Sequence, residues 1–201
     1  MTRPNPELKP FKPRQAAPQG APREVRIIGG QWKRSKLPVA DRPGLRPTAD
    51  RVRETLFNWL GQDLSGWRVL DAFAGSGALG FEAASRGAAQ ALLLERDAQL
   101  ARSLDASRVR LKAQTLRVEC TDSIGWMRRA APAQFELILL DPPFDAGLFE
   151  PALQAAAPLL VPGGVIYLEA PELLPAPPGL GLEALRSARA GQVHYQLLRK
   201  L

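Results

Sequence analysis

The fold of this chain is decided by the stretch Phe135-Glu136-Leu137-Ile138-Leu139-Leu140-Asp141-Pro142-Pro143-Phe144. A short apolar run that ends at prolines predicts a buried strand of a parallel sheet. Behind it come a carboxylate, two residues without a backbone N–H and an aromatic ring. This corner suits a planar substrate with an amino group, because the Asp141 carboxylate and the Pro142 carbonyl can accept its two hydrogens while Phe144 stacks on the ring. A proline-rich turn plugged by an aromatic side chain fits the same four residues, so the rest of the chain must decide.

Outward from this strand, the chain alternates strands and helices from Trp67 onward, which predicts an α/β domain with a mainly parallel sheet. The predicted strands are Arg68–Asp71, Ala91–Glu95, Thr115–Glu119, Leu137–Leu140 and Val165–Glu169. The predicted helices are Ala78–Arg86, Ala98–Arg108, Ser123–Arg129 and Leu148–Ala157. Two further strands, Leu182–Ala188 and Val193–Arg199, are expected to close the sheet as an antiparallel hairpin around Gly191-Gln192.

Composition limits the classes of protein that fit. The 201 residues, 45% of them hydrophobic, suffice for one domain with a core and some extensions. A membrane span needs about 18 consecutive apolar residues, and none is found; no secretory signal is recognisable either. The single cysteine, Cys120, excludes an internal disulfide and is expected to be a small buried residue. We therefore expect a cytoplasmic protein.

The positive charge is concentrated near the N-terminus. Of the net charge of +7, residues 1–25 contribute +3 and residues 26–53 contribute +6, whereas residues 54–201 carry −2. A basic quarter on a mildly acidic domain favours contact with nucleic acid over a merely solvated charge run.

The first 61 residues are predicted to form a leader and an extension. Residues 1–24 contain six prolines and few large apolar groups, which predicts a disordered leader. Residues 25–30 read as a strand, and residues 31–37 could return antiparallel, either as a nucleic-acid clamp or as an addition to the sheet. The candidate RNA-binding residues of this extension, residues 25–61, are Arg26, Trp32, Lys33, Arg34, Lys36, Arg46 and Arg51.

A helix is predicted at the end of the extension, before the α/β domain at residues 62–201. Residues 42–47 form a loop, and Thr48 is the expected N-cap of a helix that runs to about Leu60. Val52, Leu56 and Leu60 share its core face, whereas Arg51 and Arg53 are expected to face solvent.

The first strand of the domain leads into a glycine-rich turn with Gly75, Gly77 and Gly80 at the spacing of a dinucleotide fingerprint. In pyrophosphate binders the strand runs almost directly into the first glycine. Here Asp71 ends the strand four residues earlier, and its carboxylate would repel a pyrophosphate but attract an α-ammonium group. The turn therefore favours S-adenosylmethionine over a dinucleotide.

Further acids end the other strands. Glu95 is placed to accept hydrogen bonds from ribose hydroxyls, which NAD and S-adenosylmethionine share. Asp122 could accept from an adenine amino group, cap the following helix, or do both. With Asp71 and Asp141, four acids follow four strands at the carboxyl edge of the sheet, where ligands of open α/β sheets bind.

Several motifs together resemble the RsmD family of bacterial 16S ribosomal RNA guanine-N2 methyltransferases. They are Asp71–Gly77, Asp141–Phe144, the block from Arg46 to Asn58, Arg26–Gly30, and Gly191-Gln192-Val193 with Tyr195. The resemblance covers about residues 25–200, and its most specific part is the Arg46–Asn58 block.

The resemblance implies a Rossmann-like class I methyltransferase fold, a seven-stranded, mainly parallel sheet whose last strand is antiparallel. It implies that S-adenosylmethionine is bound by Asp71, Phe73, Gly75 and Gly77 at its methionine part, by Glu95 at the ribose and by Asp122 at the adenine. Asp141, Pro142 and Phe144 would then form the catalytic corner of a methyltransferase catalytic domain at residues 62–201. The N-terminal hairpin would engage 16S ribosomal RNA in a small subunit or an assembly intermediate. We expect a monomer that needs neither a metal nor a membrane.

Four other functions remain open at this point. An adenine-N6 methyltransferase acting on DNA would use the same corner, and a protein glutamine methyltransferase would use the same donor. An NAD-dependent oxidoreductase explains the glycines and Glu95 but neither Asp71 nor the Asp-Pro-Pro-Phe corner. A non-catalytic RNA-binding module leaves the acids without a role.

Overall fold

The computed structural model describes residues 23–40 and 49–201, which form nine strands and five α-helices within those ranges. The strands are β1 (Arg23–Arg26), β2 (Lys36–Val39), β3 (Arg68–Asp71), β4 (Gln90–Glu95), β5 (Leu116–Cys120), β6 (Phe135–Leu140), β7 (Leu160–Ala170), β8 (Leu182–Ala190) and β9 (Val193–Lys200). The helices are α1 (Asp50–Trp59), α2 (Ala78–Ser85), α3 (Ala98–Arg110), α4 (Ser123–Arg129) and α5 (Phe149–Ala156). The predicted leader, the predicted loop at residues 42–47, Arg46 and Thr48 lie outside the described residues, except that β1 already begins at Arg23.

Seven strands form one sheet in the order β5-β4-β3-β6-β7-β9-β8. The five strands from β3 to β7 pair in parallel, and β9 is antiparallel to both β7 and β8. This confirms the predicted class I methyltransferase sheet with its antiparallel last strand. Strand β7 begins five residues earlier than predicted, because the Gly163-Gly164 pair, with Gly163 at a φ of 77°, sits inside the strand rather than before it.

Alternate residues of the central strands enter two different cores, as a sheet covered on both faces requires. Val69, Leu139 and Tyr167 pack into one core together with α1, α2 and α3. Leu70 and Leu140 face the other core, which α4 and α5 cover. The first face is the one that matters below, because Asp71 and Asp141 fall in its alternation.

The N-terminal hairpin is a two-stranded sheet of its own, with Arg23 opposite Val39 and Arg26 opposite Lys36. It does not extend the main sheet, so that interpretation of the hairpin is wrong. The return strand starts later than predicted, because residues 31–34 form the turn. Val25, Ile27, Leu37 and Val39 are buried against the first core, which explains why so short a hairpin is stable.

Helix α1 departs from the prediction at its start and on its polar face. Its N-cap is Ala49, which makes no side-chain cap hydrogen bond, whereas the predicted N-cap, Thr48, lies outside the described residues. The expectation that Arg53 faces solvent is wrong, since its side chain is 0% exposed, whereas Arg51 is exposed as predicted. Arg53 lies on the core side with Leu56 and Phe57, three and four residues further along the helix.

Cys120 is exposed, against the expectation of a buried thiol. It ends β5, which is one of the two outer strands of the seven-stranded sheet and has a neighbour on one side only. Within residues 23–40 and 49–201, no helix has the length and apolar character needed to cross a bilayer.

Candidate active site

Strand register gathers the predicted acids at the carboxyl edge of the sheet. Asp71 pairs with Leu93 of β4 and with Leu139 of β6, and Leu139 pairs with Tyr167 of β7. Two residues further along these strands, on the same face, stand Glu95, Asp141 and Glu169. The first face of the sheet therefore ends in a row of carboxylates directly beyond Asp71.

Asp71 faces the interior below the glycine-rich turn. Its side chain is 2% exposed, and its Oδ2 accepts a hydrogen bond from the Gly80 N–H at 2.9 Å. Burial, reinforced by the charges of Glu95 and Glu169, raises the pKa of Asp71 to about 7, although hydrogen bonds from the backbone of Gly80 and Phe73 oppose the shift. A cation at this edge would favour the ionised form.

Glu95 shapes the glycine-rich turn from the neighbouring strand. Its Oε2 accepts from the Gly75 N–H at 2.9 Å, and its Oε1 accepts from the Asp97 N–H at 2.8 Å. Gly75 and Gly77 have φ angles of 52° and 77°, in the left-handed region that favours glycine. An added Cβ at Gly77 would lie 2.6 Å from Leu104 Cδ2, so packing against α3 also requires a glycine there.

Asp122 is the N-cap of α4, and its Oδ2 accepts from the Gly125 N–H at 2.6 Å. The capping role weighed in the sequence is thereby confirmed. Asp122 is also exposed just beyond the carboxyl end of β5, so its proposed contact with adenine stays a prediction.

The Asp-Pro-Pro-Phe corner lies at the end of β6. Asp141 is half-buried, Pro142 is buried, and Phe144 begins a short 3-10 turn at residues 144–146. The Phe144 ring is 37% exposed and contacts only the Phe149 ring among the described aromatic pairs, at 6.0 Å between centroids. The exposure of Phe144 argues against an aromatic plug and leaves the ring accessible. Phe73, also half-buried, packs against the second core instead.

Glu169 is an acid of the same row that the sequence interpretation passed over. It is 4% exposed, and its Oε1 accepts from the Tyr167 hydroxyl at 2.9 Å. Burial, Glu169 and the charge of Asp141 raise the pKa of Tyr167 well above its usual value. The signal was present, because Glu169 stands near the end of the fifth predicted strand as the other acids stand near theirs.

The hairpin is fastened to α2, the helix that follows the glycine-rich turn. Glu82 Oε2 accepts from the Ile28 N–H at 2.7 Å and contacts Arg53 Nη1 at 3.4 Å. Its Oε1 accepts from the Gly29 N–H at 2.7 Å and from Arg86 Nε at 2.8 Å. Sequence spacing gave no sign of this buried carboxylate between two arginines.

The turn of the hairpin lies away from the acids. The Trp32 N–H donates to Ser85 Oγ at 3.0 Å and the Gln31 N–H to the Ser85 carbonyl at 2.8 Å. Ser85 ends α2, and eight helical residues span about 12 Å from the glycine-rich turn. A pocket of about 420 Å³ lies at this opposite, amino edge of the sheet, lined by Gly30, Gln31, Gln62, Asp63, Ala84, Ser85, Arg86, Gly87, Ala88 and Thr115.

The predicted RNA-binding residues are mostly exposed but differ in their surroundings. Lys33 and Arg34 are exposed at the turn. Arg26 contacts Asp50 at 3.5 Å, and Lys36 contacts Glu24 at 2.7 Å. Trp32 is half-buried against the first core, so little of its ring is available for stacking. None of these contacts brings the hairpin turn to the row of acids.

Comparisons with known proteins extend over nearly the whole described chain. The family model described as conserved hypothetical protein 95 matches residues 25–199. The ribosomal RNA small subunit methyltransferase D of Escherichia coli strain K12 is 42% identical over 181 residues, covering 88% of this chain and 90% of that relative. The protein of the same name from Haemophilus influenzae is 39% identical and covers 87% and 93%. The solved structure of yhhF from Escherichia coli has 41% identity and a TM-score of 0.78, and covers 88% of this chain and 98% of that one.

Proposed function

Because the chain belongs to the RsmD family of ribosomal RNA small subunit methyltransferases, we propose that it methylates the exocyclic N2 of one guanine in 16S ribosomal RNA. The observation that carries this proposal is the Asp141–Phe144 corner with its exposed Phe144 ring, which follows the strand next to Asp71 and its glycine-rich turn. A donor site and an amine-accepting site on adjacent strands are what methyl transfer to an amino group requires.

The residues at the carboxyl edge fit S-adenosylmethionine, the methyl donor we propose. The edge carries Asp71, Glu95, Asp141 and Glu169 on one face, and the 69–80 stretch has no lysine or arginine. Such a site suits a cation and not a pyrophosphate, which weighs against the oxidoreductase. When bound, S-adenosylmethionine supplies a methyl group activated by its sulfonium. Asp71 would hold the methionine part, Glu95 the ribose hydroxyls and Asp122 the adenine, with Gly75, Gly77 and Phe73 beside them.

The corner at Asp141 would bind and orient the guanine amine. The lone pair of that nitrogen is delocalised into the ring, which makes it a weak nucleophile. Accepting hydrogen bonds at both amino hydrogens, by the Asp141 carboxylate and the Pro142 carbonyl, favours a pyramidal nitrogen and localises its lone pair. Phe144 would fix the plane of the base. The acceleration would then come mainly from positioning and preorganised electrostatics, with Asp141 placed to take the proton that the product nitrogen releases.

A base inside a helix cannot reach this corner, so the target guanine must be flipped out or lie in a loop. The basic extension would hold the surrounding backbone of the RNA, in a small ribosomal subunit or an assembly intermediate in the cytoplasm. If it neutralises about five phosphates, log affinity falls with log salt at a slope of roughly −3.5 to −4.5.

Nucleoside analysis tests the proposed product directly. Small subunits from cells that lack the protein are incubated with the purified chain and labelled S-adenosylmethionine, and the RNA is digested for mass spectrometry. We expect one labelled N2-methylguanosine per subunit, and no such label in subunits incubated without the chain. Label in N6-methyladenosine, or no label in RNA, would contradict the proposal.

A further inference from the structure

The C-terminal end of α3 touches the hairpin. The Arg110 guanidinium donates a hydrogen bond to the Lys36 carbonyl, 74 residues away in the sequence. Arg110 closes the last turn of α3, and Lys112 follows two residues later. A part of the catalytic domain thus adjoins the basic extension, although the charge of residues 54–201 as a whole is −2.

Four cations lie where α3 adjoins the hairpin, and this place is called the junction below. Lys33, Arg34, Arg110 and Lys112 are all exposed, and within the described part of the chain none of them forms an ion pair with a carboxylate. Their neighbours differ, since Lys36 pairs with Glu24 and Arg108 with Asp105. Exposed cations without counter-charges from two separate elements form a surface on which anionic groups can bind.

Helix stabilisation accounts for only part of this pattern. Basic residues in a last helical turn interact favourably with the helix dipole, and α4 ends in the same way with Arg128 and Arg129. Lys112, however, lies beyond the end of α3, at a φ of 53°. The dipole also gives no reason for Arg110 to meet the hairpin.

The position of the junction indicates which partner it fits. Helix α3 has 13 residues and starts just after Glu95, so its end lies about 20 Å from the acidic row. A polyanion that reaches both places must be an extended or folded nucleic acid and not a nucleotide. The pocket of about 420 Å³ beside the hairpin turn, with Gln31, Gln62 and Thr115 among its lining residues, lies at the same amino edge.

We propose that the end of α3, with Arg110 and Lys112, continues the hairpin cations Lys33 and Arg34 into one surface that binds the RNA backbone away from the target guanine. This proposal rests on the proposed function, because it takes RNA as the substrate. It adds residues of the catalytic domain to the RNA-binding surface. It also places the contact with the RNA backbone about 20 Å from the acids at which the target guanine binds.

The test compares two pairs of substitutions that remove the same charge. Arg110→Gln with Lys112→Gln alters the proposed surface, and Arg128→Gln with Arg129→Gln alters the matched last turn of α4. For the first pair we expect KM for small subunits to rise roughly tenfold and the slope of log affinity against log salt to shrink by about 1.4 to 1.8, as for two lost phosphate contacts. The turnover at saturation and the affinity for S-adenosylmethionine stay unchanged, and the α4 pair behaves like the wild type.

Lys112→Gln alone separates the loss of charge from the docking of the hairpin, because the hydrogen bond to the hairpin comes from Arg110 and not from Lys112. It is expected to reduce the slope by about 0.7 to 0.9. Equal effects of the α3 and α4 pairs, or an unchanged slope for the α3 variants, would overturn the proposal while the wild type still forms N2-methylguanosine. If the wild type methylates no RNA, the proposed function fails, and this inference fails with it.

Discussion

Replacing Glu82 by glutamine tests the fastening between the extension and the catalytic domain. Glu82 is 0% exposed and meets four donors: the N–H groups of Ile28 and Gly29 and the guanidinium groups of Arg53 and Arg86. Glutamine has nearly the same shape, so the substitution leaves no cavity. It removes the carboxylate shared by Arg53 and Arg86, whose side chains are 0% and 7% exposed. Arg53 keeps its ion pair with Asp50, at 2.7 Å, so the loss is greatest for Arg86. The amide can accept with one oxygen only, and its NH2 group faces other donors.

The expected loss of stability follows from this burial. Breaking a buried ion pair by removing one partner costs about 3 to 5 kcal/mol, because an uncompensated charge stays behind. Arg53 Nε already lacks a hydrogen-bond partner among the described atoms, so the remaining contacts of Arg53 do not fully replace the carboxylate. For a chain of this size each kcal/mol lowers Tm by about 2 to 4 °C. Glu82→Gln should therefore lower Tm by roughly 6 to 20 °C.

Asp105→Asn is the matched control, since Arg108 Nε lies 2.7 Å from Asp105 Oδ1 with side chains 34% and 53% exposed. An exposed pair of this kind contributes about 0.2 to 1 kcal/mol, so that variant should unfold within a few degrees of the wild type. Urea titrations of the three proteins at one pH measure the free energies of unfolding. A Glu82→Gln loss below about 1 kcal/mol, or one equal to that of the control, would refute the argument from burial.

Three further predictions concern the acids at the carboxyl edge of the sheet. Asp141→Ala should cut turnover at least about a hundredfold while leaving the dissociation constant of S-adenosylmethionine nearly unchanged, and normal turnover would remove its proposed role. Glu95→Gln should weaken S-adenosylmethionine binding roughly tenfold or more, because the charge that Gly75 and the ribose would share is lost; calorimetry measures it, and wild-type affinity would contradict it. The folded pKa of Asp71, about 7, lies above its ordinary value of 3.8, so the folded state binds the extra proton and loses stability as pH rises from about 4 to 7. Asp71→Asn should abolish this component, and an identical pH dependence of unfolding in both proteins would show that Asp71 does not titrate there.

The sheet and its acids were predictable because local signals specify them. Strand β3 was predicted with its bounds as observed, and helix α4 likewise, since the apolar run of the one and the Asp122 cap of the other are sequence patterns. Parallel strands bring their carboxyl ends to one edge of the sheet, so acids that follow successive strands lie at that edge whatever the strand order. Glu169 follows the same rule.

Features that depend on strand order or on distant partners could not be predicted. Cys120 continues the alternation of Leu116 and Val118 in β5. Whether that strand is central or outer depends on the order of the strands, which periodicity does not give. Arg53 was expected in solvent because an arginine is buried only with a partner. One partner, Asp50, is three residues away but is itself half exposed and does not require burial of Arg53. The buried partner, Glu82, is 29 residues away on another helix, and no local pattern links it to Arg53.

The extension and the main sheet share one core, in addition to the buried pair of Arg53 and Glu82. Two strands of four residues each are not stable alone in water, and the apolar side chains of β1 and β2 share one core with Val69 and Leu139 of the main sheet. Helix α2 connects the two parts directly. Near its start the Gly80 N–H donates to Asp71, and at its end Ser85 Oγ accepts from the Trp32 N–H of the hairpin turn. A division of the chain at residues 61 and 62 would cut through this core. We infer that the extension and the catalytic domain unfold together. RNA bound to the extension, as proposed above, would therefore be held in a fixed position relative to the glycine-rich turn and its acids.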